Sequence, residues 1–410
     1  MPAHSTRTLR TYHIILENGD IMTVKLSKRS DISPFLVMDV MSRAASLEAE
    51  GAHLMHLEVG QPSSGAPAPA KKAIVDALDD PASHGYTLTM GIKPLRQGIA
   101  DHYSRVYGLT VNPDNVVVTV GSSLGFMMAF LSCFDPGDTV AMTDPGYSAY
   151  RNLLKSAGLQ AVMIGVRGAE GWKLKPEHLD ALPETPTGLI IASPANPTGV
   201  VLNAEELAAI AAWCDENDVR LISDEIYHGI SFDVDTHTVL PMAKDAIVIN
   251  SFSKYFSMTG HRVGWMIVPD DLIEPMDRLA QNAVISVSTL SQIAATAAIS
   301  DPESITELEG HISRYGRNLD VLRGGLDPRL MQDAAPAEGA FYLYFRTSAV
   351  AEDSFVLADR LLKEAHVATT TGADFDTEQG RDYLRLSFAG STADMEEATR
   401  RINSWLADNC

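Results

Sequence analysis

Seven short apolar runs, rich in β-branched residues and mostly separated by segments of helical spacing, constrain this chain's fold more than any other feature. They cover 116–120, 139–142, 161–166, 189–192, 220–223, 246–250 and 263–268. A continuous apolar run, as opposed to an alternating one, predicts a strand buried on both faces. Such strands alternating with helices predict a mostly parallel sheet covered by crossover helices, an α/β fold. The helix expected over 204–216 carries its own start signal, because Asn203 and Glu206 form a capping-type pair. Beyond a long charged helix at 306–326, segments at 339–345, 353–366 and 383–388 and a last helix read as a smaller α+β unit. With 410 residues the chain is long enough for both cores.

Polar residues fall just past the predicted strand ends. Gly121-Ser122-Ser123 follows the first strand, Tyr147 the second, Asn196 the fourth, Asp224 and Tyr227 the fifth, and Ser251 with Lys254 the sixth. Open α/β sheets bind ligands outside the carboxyl ends of their strands. A random scatter of polar side chains would not choose that edge each time.

Within this set, the stretch 251–264 places Lys254 on a loop, with Ser251 before it and Arg262 eight positions after. A lysine amine acts as a covalent catalyst toward carbonyl compounds. A hydroxyl and a guanidinium fork suit a phosphate. Together they point to an aldehyde with a phosphate tail; the plain alternative is a turn with solvated side chains. Asp224 could pair a protonated ring nitrogen and Tyr227 a phenolic oxygen of the same ring, although Asp is also common at helix starts. Asn196, in Ala195-Asn196-Pro197-Thr198-Gly199, is turn chemistry by composition.

The segment Gly121-Ser122-Ser123-Leu124-Gly125 has two readings. It fits a nucleophile elbow with Ser123 as nucleophile, and Asp224 with His261 or His366 would complete a triad in the right order. It also fits a helix N-terminus whose N–H groups hold a phosphate. The second is preferred, because the first leaves Lys254 unexplained and no HGGG-type oxyanion motif is present. No metal motif is found, and His53 and His56 read as ordinary histidines.

A formal charge of -21 argues against nucleic acid and anionic membrane surfaces as partners. Any phosphate is therefore held by a local pocket. Cys133, Cys214 and Cys410 are far apart and odd in number, which suits a reducing compartment and a cytoplasmic location. The low-charge segments 116–134 and 283–300 are threaded with Ser, Thr, Gly or Gln and read as buried elements rather than membrane spans. The apolar run at 14–16 is too short for a secretion signal.

In order along the chain, these residues resemble the class I and II pyridoxal-phosphate aminotransferases, with the aspartate-aminotransferase fold. The resemblance runs from about Lys28 to the C-terminus. It rests on Leu57-Glu58-Val59-Gly60-Gln61-Pro62, Tyr86 followed by Gly91, Ala195-Asn196-Pro197-Thr198-Gly199 and Asp224-x-x-Tyr227. Ser251-x-Ser253-Lys254, Thr259-Gly260-x-Arg262-x-Gly264 and Tyr383-Leu384-Arg385-Leu386-Ser387-Phe388 complete it.

The resemblance implies a large cofactor domain over 61–300 and a small domain built from an arm, 28–60, and the C-terminal third, 301–410. Residues 1–27 are then an extension of no assigned role. It also implies that Lys254 forms a Schiff base with pyridoxal phosphate and shuttles the substrate proton, and that Asp224 pairs the pyridinium nitrogen. Tyr227 and Asn196 would bond the ring's 3-oxygen, and Tyr147 would stack on the ring. Ser251, Arg262, Ser122 and Ser123 would hold the phosphate. Tyr86 would reach the neighbouring subunit's phosphate in a homodimer. Arg385 would take the substrate carboxylate, with Asn196 and Gly60 lining the substrate side.

The implied reaction is transfer of an amino group from an L-amino acid to a 2-oxo acid. Lyases and synthases of the same fold, of the C–S lyase or ACC-synthase kind, are the alternative; a serine hydrolase using Ser123 is a remote one. His261 departs from the family pattern, standing where many relatives carry Trp. Neither the Ser122–Ser123 loop nor 283–300 offers a Lys or Arg for a second carboxylate, which points to a neutral, apolar or aromatic side chain.

Overall fold

The structure, a computed structural model, describes residues 12–15, 21–24 and 26–410. The extension expected over 1–27 therefore lies largely outside the described residues; within it, β1 (Tyr12–Ile15) and β2 (Ile21–Val24) pair antiparallel. The short strand β3 (Met55–His56) follows the helix Leu36–Ala49.

The central sheet has seven strands: β4 (Val116–Thr119), β5 (Thr139–Asp144), β6 (Gln160–Gly165), β7 (Gly188–Ala192), β8 (Arg220–Asp224), β9 (Ile247–Ser251) and β10 (Gly264–Ile267). Their spatial order is β4-β10-β9-β8-β7-β5-β6. Each predicted run became a strand, with ends shifted by one or two residues. Helix 204–216 forms as Ala204–Glu216, with Asn203 Oδ1 accepting the Glu206 N–H at 2.9 Å and Glu206 accepting the Asn203 N–H at 2.8 Å.

The sheet is parallel except at β10, which runs antiparallel to both β4 and β9. The cause is the connection: the lysine loop turns straight back beside β9 with no crossover helix, and only an antiparallel neighbour is reached that way. Gly264 stands at the crowded start of β10. A Cβ there would lie 2.8 Å from the backbone of Gly121 and of Ser122, so the residue type keeps the two loops in contact.

One apolar cluster on each face buries this sheet, with Val118, Leu189, Val248 and Trp265 on one side and Val117, Ile190, Ile249 and Met266 on the other. A further cluster joins Met55 and Leu57 to the C-terminal elements β11 (Tyr342–Arg346), β14 (Tyr383–Ser387) and the helix Thr392–Asn409. In chain order β12 (Val367–Ala368) pairs parallel with β3, and β13 (Thr370–Thr371) pairs antiparallel with β14. The segment before the large sheet is thus stitched to the chain's end. The helix expected over 306–326 forms as Pro302–Gly325, and the low-charge segment at 116–134 divides into β4 and the helix Gly121–Cys133. Among the described residues no helix is long and apolar enough to cross a membrane.

Candidate active site

The carboxyl ends of β4, β5, β7, β8 and β9 open onto one cleft of about 830 Å³, open mouth included. Gly60, Ser122, Ser123, Tyr147, Asn196, Asp224, Tyr227, Lys254, Arg262 and Arg385 all line it. Residues drawn from across more than 300 positions of sequence are brought together there.

Asp224 ends β8 and is buried. Its Oδ1 accepts the Ile226 N–H at 3.1 Å, and its Oδ2 accepts the hydroxyl of Tyr150. Burial pushes its pKa up to about 6, against the pull of Tyr150, the Ile226 N–H and Lys254. Lys254 sits past β9, half-buried, and donates to the Gly60 carbonyl at 2.6 Å. Burial, then the nearby Arg385 and Arg262, lower its amine to about 8. A good share of it is therefore neutral, and so nucleophilic, in mildly basic solution.

The anion end has two components. Helix Gly121–Cys133 starts at the cleft with no side chain capping it, which leaves its first N–H groups open to an anion. Arg262 lies beside it at φ 53°, in the left-handed region, which costs a residue with a Cβ about 1 kcal/mol. Its guanidinium donates to the Thr259 carbonyl at 2.9 Å. Gly121, at φ 68°, has no room for a Cβ, which would stand 2.5 Å from Arg262 Nη2.

Arg385 comes from β14 and is buried. It donates to Asn196 Oδ1 at 3.0 Å and to the Glu58 carbonyl at 2.6 Å, both neutral acceptors. Its Nε is buried without a partner. A buried guanidinium with a free donor calls for an anion in the cleft. Tyr227 and Tyr342 place their hydroxyls 2.7 Å apart. These features fit pyridoxal phosphate with an amino acid beside it: an anion cradle at one end, a buried carboxylate and a depressed lysine in the middle, and at the other an arginine whose Nε has no partner.

Two predicted residues lie outside the cleft wall. One is Ser251: β9 ends there, and its hydroxyl bonds within the turn, at 3.0 Å from the Val263 carbonyl and accepting the Ser253 N–H at 3.1 Å. Ser253 and Thr259 line the cleft in its place. The other is Tyr86, which is 81% exposed and is not part of this chain's own cleft lining. The triad expected of a serine hydrolase does not assemble, since the Asp224 oxygens face Tyr150 and Ile226 instead of a histidine.

Tyr150, Tyr342, Phe35, Val37 and Val59 also line the cleft and were not predicted. In the sequence Tyr342 is one more apolar strand residue, and only Tyr150, three positions beyond Tyr147, had a spacing that could have revealed it.

Comparison with known proteins agrees with this geometry. The family model described as "Aminotransferase class I and II" matches residues 52–402. The valine–pyruvate aminotransferase of Mycobacterium tuberculosis is 45% identical over 387 residues, covering 94% of this chain and 99% of that protein. The crystal structure of an aminotransferase from M. tuberculosis superposes with a TM-score of 0.91 at 44% identity, over 94% of this chain and 100% of that one. The aspartate aminotransferase of Thermus thermophilus, solved with maleate, gives 0.87 at 31% identity, over 93% and 99%. A cleft built for amino-group transfer thus sits in a chain matched almost end to end by amino-group transferases, and this chain belongs to the class I and II aminotransferases.

Proposed function

We propose that this aminotransferase moves the amino group of an L-amino acid with an apolar side chain to a 2-oxo acid, with pyridoxal phosphate bound through Lys254. The observation that carries the reading is one cleft holding three groups: Lys254 with its lowered pKa, buried Asp224, and Arg385 with its unpartnered Nε. Arg262, Ser253, Thr259 and the start of helix Gly121–Cys133 would hold the phosphate, with Ser122 and Ser123 presenting their N–H groups. Asp224 would keep the ring nitrogen protonated, Tyr227 and Asn196 would bond the 3-oxygen, and Tyr147 would cover the ring. When bound, the cofactor supplies a sink for the electron pair left at the substrate Cα.

The chain's own groups do the rest. Arg385 orients the substrate through its carboxylate, using the fork that its two neutral acceptors leave partly free. The Lys254 amine removes the Cα proton and later donates it, serving as base and then acid. Its depressed pKa suits both roles near neutral pH.

The side-chain preference rests on the lining. Its cations are Lys254, Arg262 and Arg385, each with a task, while Phe35, Val37, Val59 and Ile226 supply apolar surface. Likeness to a valine–pyruvate aminotransferase points the same way. A homodimer with Tyr86 serving the partner's site fits the outward placement of Tyr86 and Leu88, which are 81% and 61% exposed. Three unpaired cysteines suit a cytoplasmic setting.

The test mixes holoenzyme with single amino acids and follows the bound cofactor's absorbance. Valine, leucine and alanine should convert the spectrum, pyruvate should restore it, and Lys254→Ala should show no conversion. Faster conversion by aspartate would refute the apolar preference. Ammonia release without an oxo acid would refute transfer.

A further inference from the structure

Tyr342 occupies an unusual place in the cleft. It is the first residue of β11, buried, and its ring and hydroxyl meet different partners. The hydroxyl lies 2.7 Å from that of Tyr227. The ring lies against the guanidinium of Arg385, whose Cζ is 4.2 Å from its centroid; the Phe375 ring lies against the same guanidinium at 4.4 Å. Gly60 packs so closely that a Cβ there would stand 1.7 Å from the Tyr342 hydroxyl, and the Gly60 carbonyl holds Lys254. One rigid side chain therefore touches the residue assigned to the ring oxygen, the residue assigned to the substrate carboxylate, and the backbone that receives the lysine.

We infer that Tyr342 is a positioning residue that couples the two halves of the site: its hydroxyl donates to Tyr227 and its ring fixes the plane of Arg385. The inference rests on the roles proposed above for Tyr227 and Arg385. Either hydroxyl of the pair can donate, but Tyr227 has one proton. If that proton serves the cofactor's 3-oxygen, Tyr227 must accept from Tyr342, which makes a chain of two donors. A phenol that accepts a hydrogen bond becomes a stronger donor itself. Tyr342 thus strengthens the hydrogen bond from Tyr227 to the cofactor and favours the proton-poor form of the bound cofactor.

The ring has a separate effect. The Arg385 guanidinium is hydrogen-bonded by Asn196 and the Glu58 carbonyl and packed against the rings of Tyr342 and Phe375. Packing against two rings limits its tilt and sets the direction in which its free donors point.

Two substitutions separate hydroxyl from ring. In Tyr342→Phe, the pH midpoint of the bound cofactor's absorbance change should rise by about half a unit, the size expected when one bond of a chain is weakened. The KM for the amino acid should stay within about twofold, because the ring face is intact. In Tyr342→Leu, the midpoint should rise similarly and the KM should increase roughly five- to tenfold, as the cation–π support is lost.

Tyr227→Phe combined with Tyr342→Phe should shift the midpoint no further than Tyr227→Phe alone, since the hydroxyl acts through Tyr227. An unchanged midpoint in Tyr342→Phe, or an additional shift in the double variant, overturns the coupling. Equal KM in Tyr342→Phe and Tyr342→Leu overturns the role of the ring. Should Tyr342→Leu fail to fold, the midpoint measurements on Tyr342→Phe still decide the coupling. Wild-type protein titrated alongside Lys254→Ala shows independently whether the cofactor is bound as proposed, so failure of that reading is told apart from failure of this one.

Discussion

Asp224 offers a quantitative test, because the structure predicts that replacing it stabilises the cofactor-free protein while removing function. Its carboxylate is buried at the end of β8, and burial is the largest influence on it, raising the pKa from 3.8 to about 6. The folded protein thus holds this proton more tightly than the unfolded chain does. Stability from this group is complete below pH 3.8 and is lost as the pH rises toward 6, so at pH 7 the ionised carboxylate is a net burden. A difference of 6 − 3.8, about two pKa units, corresponds to about 3 kcal/mol.

Asp224→Asn removes that charge but turns an amide nitrogen toward the Tyr150 hydroxyl in place of the accepting Oδ2, so the expected gain is about 1–2 kcal/mol. For a chain of 410 residues, with an unfolding entropy of about 2 cal/mol/K per residue, that is roughly a 2 °C rise in Tm. Calorimetry of the cofactor-free variant and wild type from pH 4 to pH 8 should show the gain appearing between pH 4 and 6 and holding above. With pyridoxal phosphate added, the order should reverse, because the ring nitrogen no longer finds a counter-charge. A cofactor-free variant that is less stable than wild type at pH 7, or a gain that does not vary with pH, would refute the argument from desolvation.

Other outcomes follow from the same geometry. Arg385→Lys should raise the KM for the amino acid about 100-fold, since an ammonium cannot serve Asn196, the Glu58 carbonyl and a carboxylate as the planar fork does; steady-state kinetics measures it. Gly121→Ala should raise the dissociation constant for pyridoxal phosphate about tenfold, read by fluorescence titration, because its Cβ meets Arg262 and its φ of 68° disfavours a side chain. If Tyr86 serves the neighbouring site, mixing inactive Tyr86→Ala and Lys254→Ala chains should recover activity, at most about a quarter of wild type, as half of random dimers are hybrids with one intact site. No recovery, with hybrids shown by mass spectrometry, would place Tyr86 elsewhere.

Local chemistry and elements that rely on it were legible in the residues themselves. Apolar runs longer than an alternating pattern specify strands, and all seven appear in the sheet; the run at 161–166 differs in forming the edge strand β6, where only Ile164 is buried, because its place in the sheet and not its composition sets its burial. The capped helix Ala204–Glu216 was readable for the same reason: Asn203 and Glu206 are three residues apart and satisfy each other. Lys254 and Arg262, eight residues apart on one loop, reach the same cleft because the chain between them has to turn back to form β10.

What the sequence could not decide is set by contacts between distant segments. Lys254 finds the Gly60 carbonyl 194 residues away, and Arg385 finds Asn196 and Glu58 across 189 and 327 residues. The burial that lowers Lys254 and raises Asp224 exists only once these segments close over them. Serine choice shows the same limit at short range: Ser251 and Ser253 are two residues apart, and the turn at the end of β9 alone determines which one faces the cleft. Sequence by itself determined the strands, the edge where function gathers and the lysine at its centre, since these follow from short-range pattern and residue chemistry. Tertiary structure decided which groups are desolvated, which donors stay free and which aromatic rings lie against Arg385, since desolvation and packing are properties of the assembled pocket and of no single segment.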